Sequence, residues 1–454
     1  MKLLLQFRRI TDGWHDAFSQ PRTAIRACAL AVGLLCGVGR RTITRALGAL
    51  GKEQVDWSAD YRVFSRSPWE GKNLFDRMMT EAIARYLDTG PLVMAWDDTV
   101  VRREGRHVPN TAWRRDPMSP PFHVNLVWGQ RYLLASLVLP LYREDGGSSP
   151  RTLPVRFVEC PGVRKPGRKA TDAQIDQYRE EKKKRRLSVC FVEEARKMRQ
   201  TLDQQCQEKR QLLCAVDGSY CNRTVWKAGL ERTQILARVR RDAKLCFASS
   251  QKGRFYSRQT WTPESVYKDD NQAWSVRQCF FGGQWRDVRY KEVARVKWKI
   301  AGRHKLLRLI VLAPTPYRVG AKGRTEYRQE SYLLSDDVDS EVGVLIQAYL
   351  DRYQIEFNHR DAKTVLGVGE AQVWGEKSTP RVPEFIVASY SALLLAGLSA
   401  YGPKRGQVYR ELPKWRRKAK RPSCQDLITL LRKQVAAKRE PESTVEQMIM
   451  TAAA

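Results

Sequence analysis

Apolar and polar positions divide the chain into stretches of different period. Up to about residue 85 the spacing predicts helices. Pro21 suits a first helical turn, the apolar run that follows reaches Cys36, and "GVGRRTITRALGALG" reads as a turn and a short helix bearing Arg40, Arg41 and Arg45. At "GPLVMAWDDTVV" the pattern changes: Leu92 to Trp96 are continuously apolar and end in Asp97 and Asp98, which predicts a strand buried on both faces. "HVNLVWGQRYLLASLVLPLY" then predicts a hairpin, two strands around a turn at Trp128 to Arg131. "VRKPGRKATDAQIDQYREEKKKRRLS" predicts a solvated loop and a charged helix.

A second apolar run, Leu212 to Val216, ends in Asp217, and Gln234 to Val239 predicts a further strand leaving on arginines. Ligands gather beyond the carboxyl ends of parallel strands, so strand-terminal aspartates are placed to share a site, although each alone is more often a turn residue. Residues 246–330 alternate aromatic, glycine and basic residues and predict a β-rich insertion. "SYLLSDD" predicts a return to a buried strand, with Asp336, Asp337 and Asp339 as turn and cap residues. "AYLDRYQIEFNHRDAK" predicts one helix. At about 100° per residue, Arg352, Glu356 and Lys363 fall within roughly 60° of Tyr349, so four polar heads leave one face. By itself that face is more often an ordinary surface ion pair beside a core tyrosine, because charged helix faces are common. "VPEFIVASYSALLLAGLSAYG" predicts an apolar helix, "KWRRKAKRPS" a basic linker, and Ser423 with Asp426 a capped final helix.

Charge narrows the partners. Among 454 residues, 81 Lys and Arg oppose 49 Asp and Glu, for a net charge of +32. Such a field attracts polyanions, so double-stranded DNA is the expected partner. Arg40 and Arg41 are the expected DNA contacts of the N-terminal region. No run of eighteen apolar residues occurs, so no membrane is expected. The ten cysteines include no C-x-x-C pair, and they read as buried thiols of a cytoplasmic protein without structural metal.

Tyr349, Arg352, Glu356 and Lys363, together with "AWDDT" and "VDGSY" through "LARVRR", resemble the YREK signature and aspartate strands of bacterial insertion-sequence transposases of the DDE superfamily. The resemblance covers roughly residues 90–400. It implies an α/β fold with a ribonuclease H-like mixed sheet flanked by helices. The parts would be a helical DNA-binding region (1–85), the catalytic core in two pieces (86–245 and 331–400) around the insertion (246–330), and a basic linker with a C-terminal helix (401–454). It implies Mg²⁺-dependent cleavage at element ends and strand transfer, with two ions (Mn²⁺ a substitute) on Asp98, Asp217 and Glu356, in a DNA-bound homodimer on the nucleoid. The family has one first aspartate; Asp97 and Asp98 compete for it, and adjacency to Thr99 favours Asp98. Tyr349, Arg352 and Lys363 would grip phosphates. His359 is expected to support the site by a hydrogen bond, His123 to lie in a strand, and Trp285 and Trp298 to pack in the core or stack on a flipped base. The alternatives are a transposase-derived DNA-binding protein without chemistry, or a ribonuclease H-like nuclease or junction resolvase. The complete carboxylate set favours the enzyme.

Overall fold

The computed structural model describes residues 1–438 except 117–118, 121, 144–147, 252, 303–304, 319–322 and 416–418. Residues 439–454, the last part of the expected C-terminal region, and part of its basic linker lie outside the described residues.

Five helices open the chain: α1 (Lys2–Asp12), α2 (Pro21–Cys36), α3 (Ile43–Leu50), α4 (Ser58–Ser65) and α5 (Gly71–Tyr86). Pro21 does occupy the first turn of α2. Thr42 caps α3 by accepting from the Arg45 N–H, and Gly51 closes it at φ 73°, a conformation open to glycine. Strands β1 (Leu92–Arg102), β2 (Ala112–Arg115), β3 (Leu126–Leu139) and β4 (Arg151–Cys160) follow, then helices α6 (Asp172–Lys184) and α7 (Leu187–Gln204). The charged α6 buries none of its side chains. Next come β5 (Leu212–Val216), α8 (Arg223–Trp226) and β6 (Thr233–Arg238). Residues 245–328 hold seven described strands, β7 (Leu245–Phe247), β8 (Thr260–Trp261), β9 (Ser275–Phe281), β10 (Gln284–Lys297), β11 (Leu307–Leu312), β12 (Thr315–Arg318) and β13 (Thr325–Arg328), with α9 (Pro263–Lys268) among them. The chain returns through β14 (Ser331–Ser335) and ends in α10 (Val342–Arg352), α11 (Ile355–Arg360), α12 (Ser378–Tyr401) and α13 (Cys424–Lys438).

The main sheet runs β2-β3-β1-β5-β6-β14-β11-β10-β7-β8, with β4 also on β3 and β9 also on β10. Only β1/β5 and β5/β6 are parallel; the other pairs are antiparallel. The result is a mixed α/β architecture, a large and mostly antiparallel sheet flanked by helices. Alternation along the central strands sorts their side chains. Trp96 of β1 packs edge-on against Phe191 of α7, while Val93 and Leu213 pack with Leu345 and Ile346 of α10.

Three sequence expectations give way here. The hairpin around Trp128 to Arg131 does not form: β3 runs straight through it for 14 residues. Gly129 marks a close approach, because a Cβ there would lie 2.4 Å from the Val101 carbonyl oxygen of β1. The single helix from Ala348 to Lys363 is broken. Bonds from the Tyr353 and Gln354 N–H groups to Leu350 and Asp351 tighten the chain between α10 and α11, and Asp361–Val365 form a π-helical turn. His123 is exposed in a loop.

The apolar α12 is long enough to cross a membrane, yet 89% of its most apolar stretch is buried within the fold. Trp14, Phe64 and Trp69 of the N-terminal region pack edge-on against its Phe385, so this region and the sheet share one core.

Candidate active site

Strand β1 carries its two aspartates past the end of its partner. Parallel pairing with β5 runs from Leu92 and Leu212 to Ala95 and Ala215. Continued two residues, this register sets Asp97 beside Asp217. Both have the parity of Val93 and Leu213, the residues that pack against α10. Asp98 has the opposite parity and shares its side of the sheet with Trp96.

The contacts agree with the parity. Asp97 Oδ2 lies 3.5 Å from His359 Nε2 of α11, and its Oδ1 accepts from the Asp98 N–H at 2.9 Å. Asp98 Oδ2 instead meets Arg131 Nε of β3 at 3.1 Å. Burial holds the Asp98 carboxyl above the ordinary range despite Arg131, and the charges of Asp97 and Asp217 add to that rise. Asp217 begins a short 3₁₀ turn and accepts from the Ser219 N–H at 2.8 Å and its hydroxyl at 2.6 Å. The rotamer of Asp217 is thereby fixed at the strand end.

Tyr220 completes this floor, and the sequence reading passed over it. It is fully buried against Phe191, and its hydroxyl has no hydrogen-bond partner. Burial and the neighbouring Asp98, Asp97 and Asp217 push its phenol well above the usual value. The available signal was its position three residues after a strand-terminal aspartate.

Above the floor stand α11 and the π-helical turn. Both ring nitrogens of His359 are buried without a hydrogen-bond partner. Glu356 is exposed on the first turn of α11, and among the described residues no hydrogen bond or ion pair engages its carboxylate. Arg352 keeps Nε and Nη1 buried with no acceptor, and Tyr349 packs on the α10 side with its hydroxyl 3.4 Å from that of Ser331. Burial and the adjacent Arg102 depress the Lys363 ammonium pKa, while Asp116, Asp97 and Asp98 oppose them.

Arg41 is a correction. Expected on DNA, it is 7% exposed and spends its guanidinium on the carbonyls of Leu34, Gly37 and Val365. It caps the C-terminus of α2 and ties it to the π-helical turn, as cations do at helix C-termini. Arg40, one residue earlier, is exposed. Trp285 meets Tyr142 and Phe280 edge-on but stays 54% exposed rather than in the core, and Trp298 is half-buried against the core.

The donor set suits a hard divalent cation. The carboxylates offer oxygen, and an unpartnered phenol lies among them. Among the described residues, the one trio of ligand side chains already within 4.8 Å of one another is Asp12, His15 and Cys28, far along the chain from this floor. Cys28 donates its thiol to the Thr11 carbonyl, and burial pushes its pKa up to about 12, so it is no thiolate ligand. Asp97, Asp217 and Glu356 do not form such a trio.

A family model described as DDE superfamily endonuclease matches residues 16–304, more than half of the chain. The match includes both candidate aspartate strands and ends before α10. No curated protein matches the chain significantly.

Proposed function

The chain belongs to the DDE superfamily of endonucleases, and from that membership we propose that it is a transposase that cuts DNA at the ends of an insertion sequence and joins the freed ends to target DNA. Endonucleases of this superfamily act on DNA with divalent metal ions. The order β4-β3-β1-β5-β6, with β3 antiparallel, supports the finer reading of a ribonuclease H-like core.

The observation that carries the proposal is the register that sets Asp97 level with Asp217, on the side of the sheet that packs against α10. In this reading Asp97, Asp217 and Glu356 hold two Mg²⁺, and Asp98 has a different task. Its ion pair with Arg131 ties β1 to β3 and stiffens the strand beneath Asp97. Bound ions would activate the attacking oxygen and stabilise the leaving one. His359 orients Asp97, Ser219 orients Asp217, and the unspent donors of Arg352 with the Lys363 ammonium grip the scissile phosphate.

The test compares single variants on labelled DNA carrying the native element ends with Mg²⁺. Asp97→Asn, Asp217→Asn and Glu356→Gln should each lower cleavage by at least about a hundredfold, because each removes charge from a metal ligand, with DNA binding retained. Asp98→Asn should keep measurable cleavage and lower the melting temperature. If Asp98→Asn abolishes cleavage while Asp97→Asn cuts normally, the roles are reversed; if no carboxylate matters, the transposase reading fails.

A further inference from the structure

Two of the ten cysteines meet from different elements: Cys160, the last residue of β4, and Cys190, in the first turn of α7. Strand register explains the meeting. Cys160 stands opposite Arg131 of β3, which in turn stands opposite Val100 of β1, so Cys160 has the parity of Trp96 and Asp98. α7 lies on that side of the sheet, with Phe191 edge-on to both Trp96 and Tyr220. Cys190 directly precedes Phe191 and brings its sulfur into hydrogen-bond contact with the Cys160 thiol. Both thiols are free.

The two sulfurs are not equivalent. Cys160 is 2% exposed, donates its S–H to Cys190, and has its pKa pushed up by that bond and by burial. Cys190 is half-buried at the edge of the core, and accepting from Cys160 lowers its pKa against burial and the charge of Glu193. Its place in the first turn of an 18-residue helix adds amide dipoles that favour a thiolate. One sulfur is therefore a nucleophile within reach of solvent. The other lies beneath it as a resolving partner.

We propose that Cys160 and Cys190 are a peroxide-reactive pair that closes to a disulfide, joins β4 to α7 and slows cleavage at the neighbouring aspartates. The Cys190 thiolate attacks one peroxide oxygen and the O–O bond breaks, leaving Cys190 as a sulfenic acid; the departing hydroxide takes up the proton that Cys190 gave and becomes water. The Cys160 sulfur then attacks the Cys190 sulfur, the S–O bond breaks, and hydroxide leaves with the Cys160 proton as a second water. Two thiols are oxidised and one peroxide is reduced to two waters. Joining the sulfurs draws Cys160 toward α7, and with it Arg131, its ladder partner, which holds Asp98 at 3.1 Å. The effect on cleavage rests on the enzyme reading above, whereas the bond itself does not.

The test treats the full-length protein with hydrogen peroxide, blocks the remaining thiols and maps the peptides by mass spectrometry. A peptide pair joined through Cys160 and Cys190 should appear and be lost on adding dithiothreitol. Cys160→Ser should instead leave Cys190 as a sulfenic acid that dimedone captures, and Cys190→Ser should give neither product. Cys206, exposed and also free, should react more slowly than Cys190 at limiting peroxide. On labelled element ends with Mg²⁺, the oxidised protein should cut about tenfold more slowly and recover with dithiothreitol, while Cys190→Ser cuts like reduced wild type before and after peroxide. Peroxide that leaves both thiols free, or joins other cysteines instead, overturns the pair. A Cys160–Cys190 bond with unchanged cleavage overturns its control of the site. The same bond in a protein that cuts no DNA in either state supports the pair and overturns the enzyme reading beneath it.

Discussion

A buried carboxylate one residue before the end of α10 shows how strongly single residues can set the behaviour of this fold. Asp351 is 3% exposed, accepts from the Tyr142 hydroxyl and the Gln347 side chain at 2.9 Å each, and burial raises its pKa from 3.8 to about 7. A raised carboxyl pKa means that the folded protein holds the proton more tightly than the unfolded chain does. Its contribution to stability is therefore complete below about pH 4 and is lost as the pH climbs to about 7. Asp351→Asn removes this dependence. The melting temperature of the variant should rise relative to wild type between pH 4 and 8, by the equivalent of about 1–4 kcal/mol, as followed by thermal unfolding across that range. A constant offset at every pH would show that Asp351 ionises freely. The same scale explains the two adjacent aspartates: Asp97 and Asp98 are identical in chemistry, and one step of pleat gives one of them His359 and the other Arg131.

Elements decide how firmly that floor is held. β1 pairs with β3 from Met94 to Arg102, and Gly129 lets the two backbones close at Val101. Gly129→Ala would press a methyl against the Val101 carbonyl and part the strands four residues from Asp97. A loss of about 1–3 kcal/mol is expected, measured by denaturant unfolding, with a larger fall in cleavage than in DNA affinity. Unchanged stability would mean that the ladder yields freely there. The broken helix after β14 belongs to this scale too. Helical spacing aligns Tyr349, Arg352, Glu356 and Lys363 on one face, but the tight turn at Tyr353 and the π-helical turn at Asp361–Val365 re-aim them. Tyr349 goes to the core, Lys363 to the side of Arg102 and Glu356 to solvent.

At the scale of the molecule, the helical N-terminal region is part of one core. Phe385 of α12 takes ring contacts from Trp14, Phe64 and Trp69, the Leu4 N–H bonds to Gln434 of α13, and Arg432 of α13 bonds to the Cys36 and Gly37 carbonyls. A chain beginning at residue 86 would expose this side of α12, so it should lose cooperative unfolding and resistance to protease. A stable, soluble product would show that the sheet and α12 are sufficient on their own. What the sequence by itself determined is what depends on local composition. Continuous apolar runs fixed β1, β5 and β14, because burial on both faces demands uninterrupted apolar residues, charge set the expectation of a polyanionic partner, and strand-terminal aspartates pointed to the candidate site. Only the tertiary structure decided what depends on which surface a residue meets. Strand register told Asp97 from Asp98, the carbonyls at the end of α2 claimed Arg41, the approach of β1 turned Gly129 from a turn residue into a strand residue, and two cysteines of different elements met between β4 and α7. One residue's shift in register reverses a side chain's direction at almost no local cost, and so the chain carries that choice in its long-range packing alone.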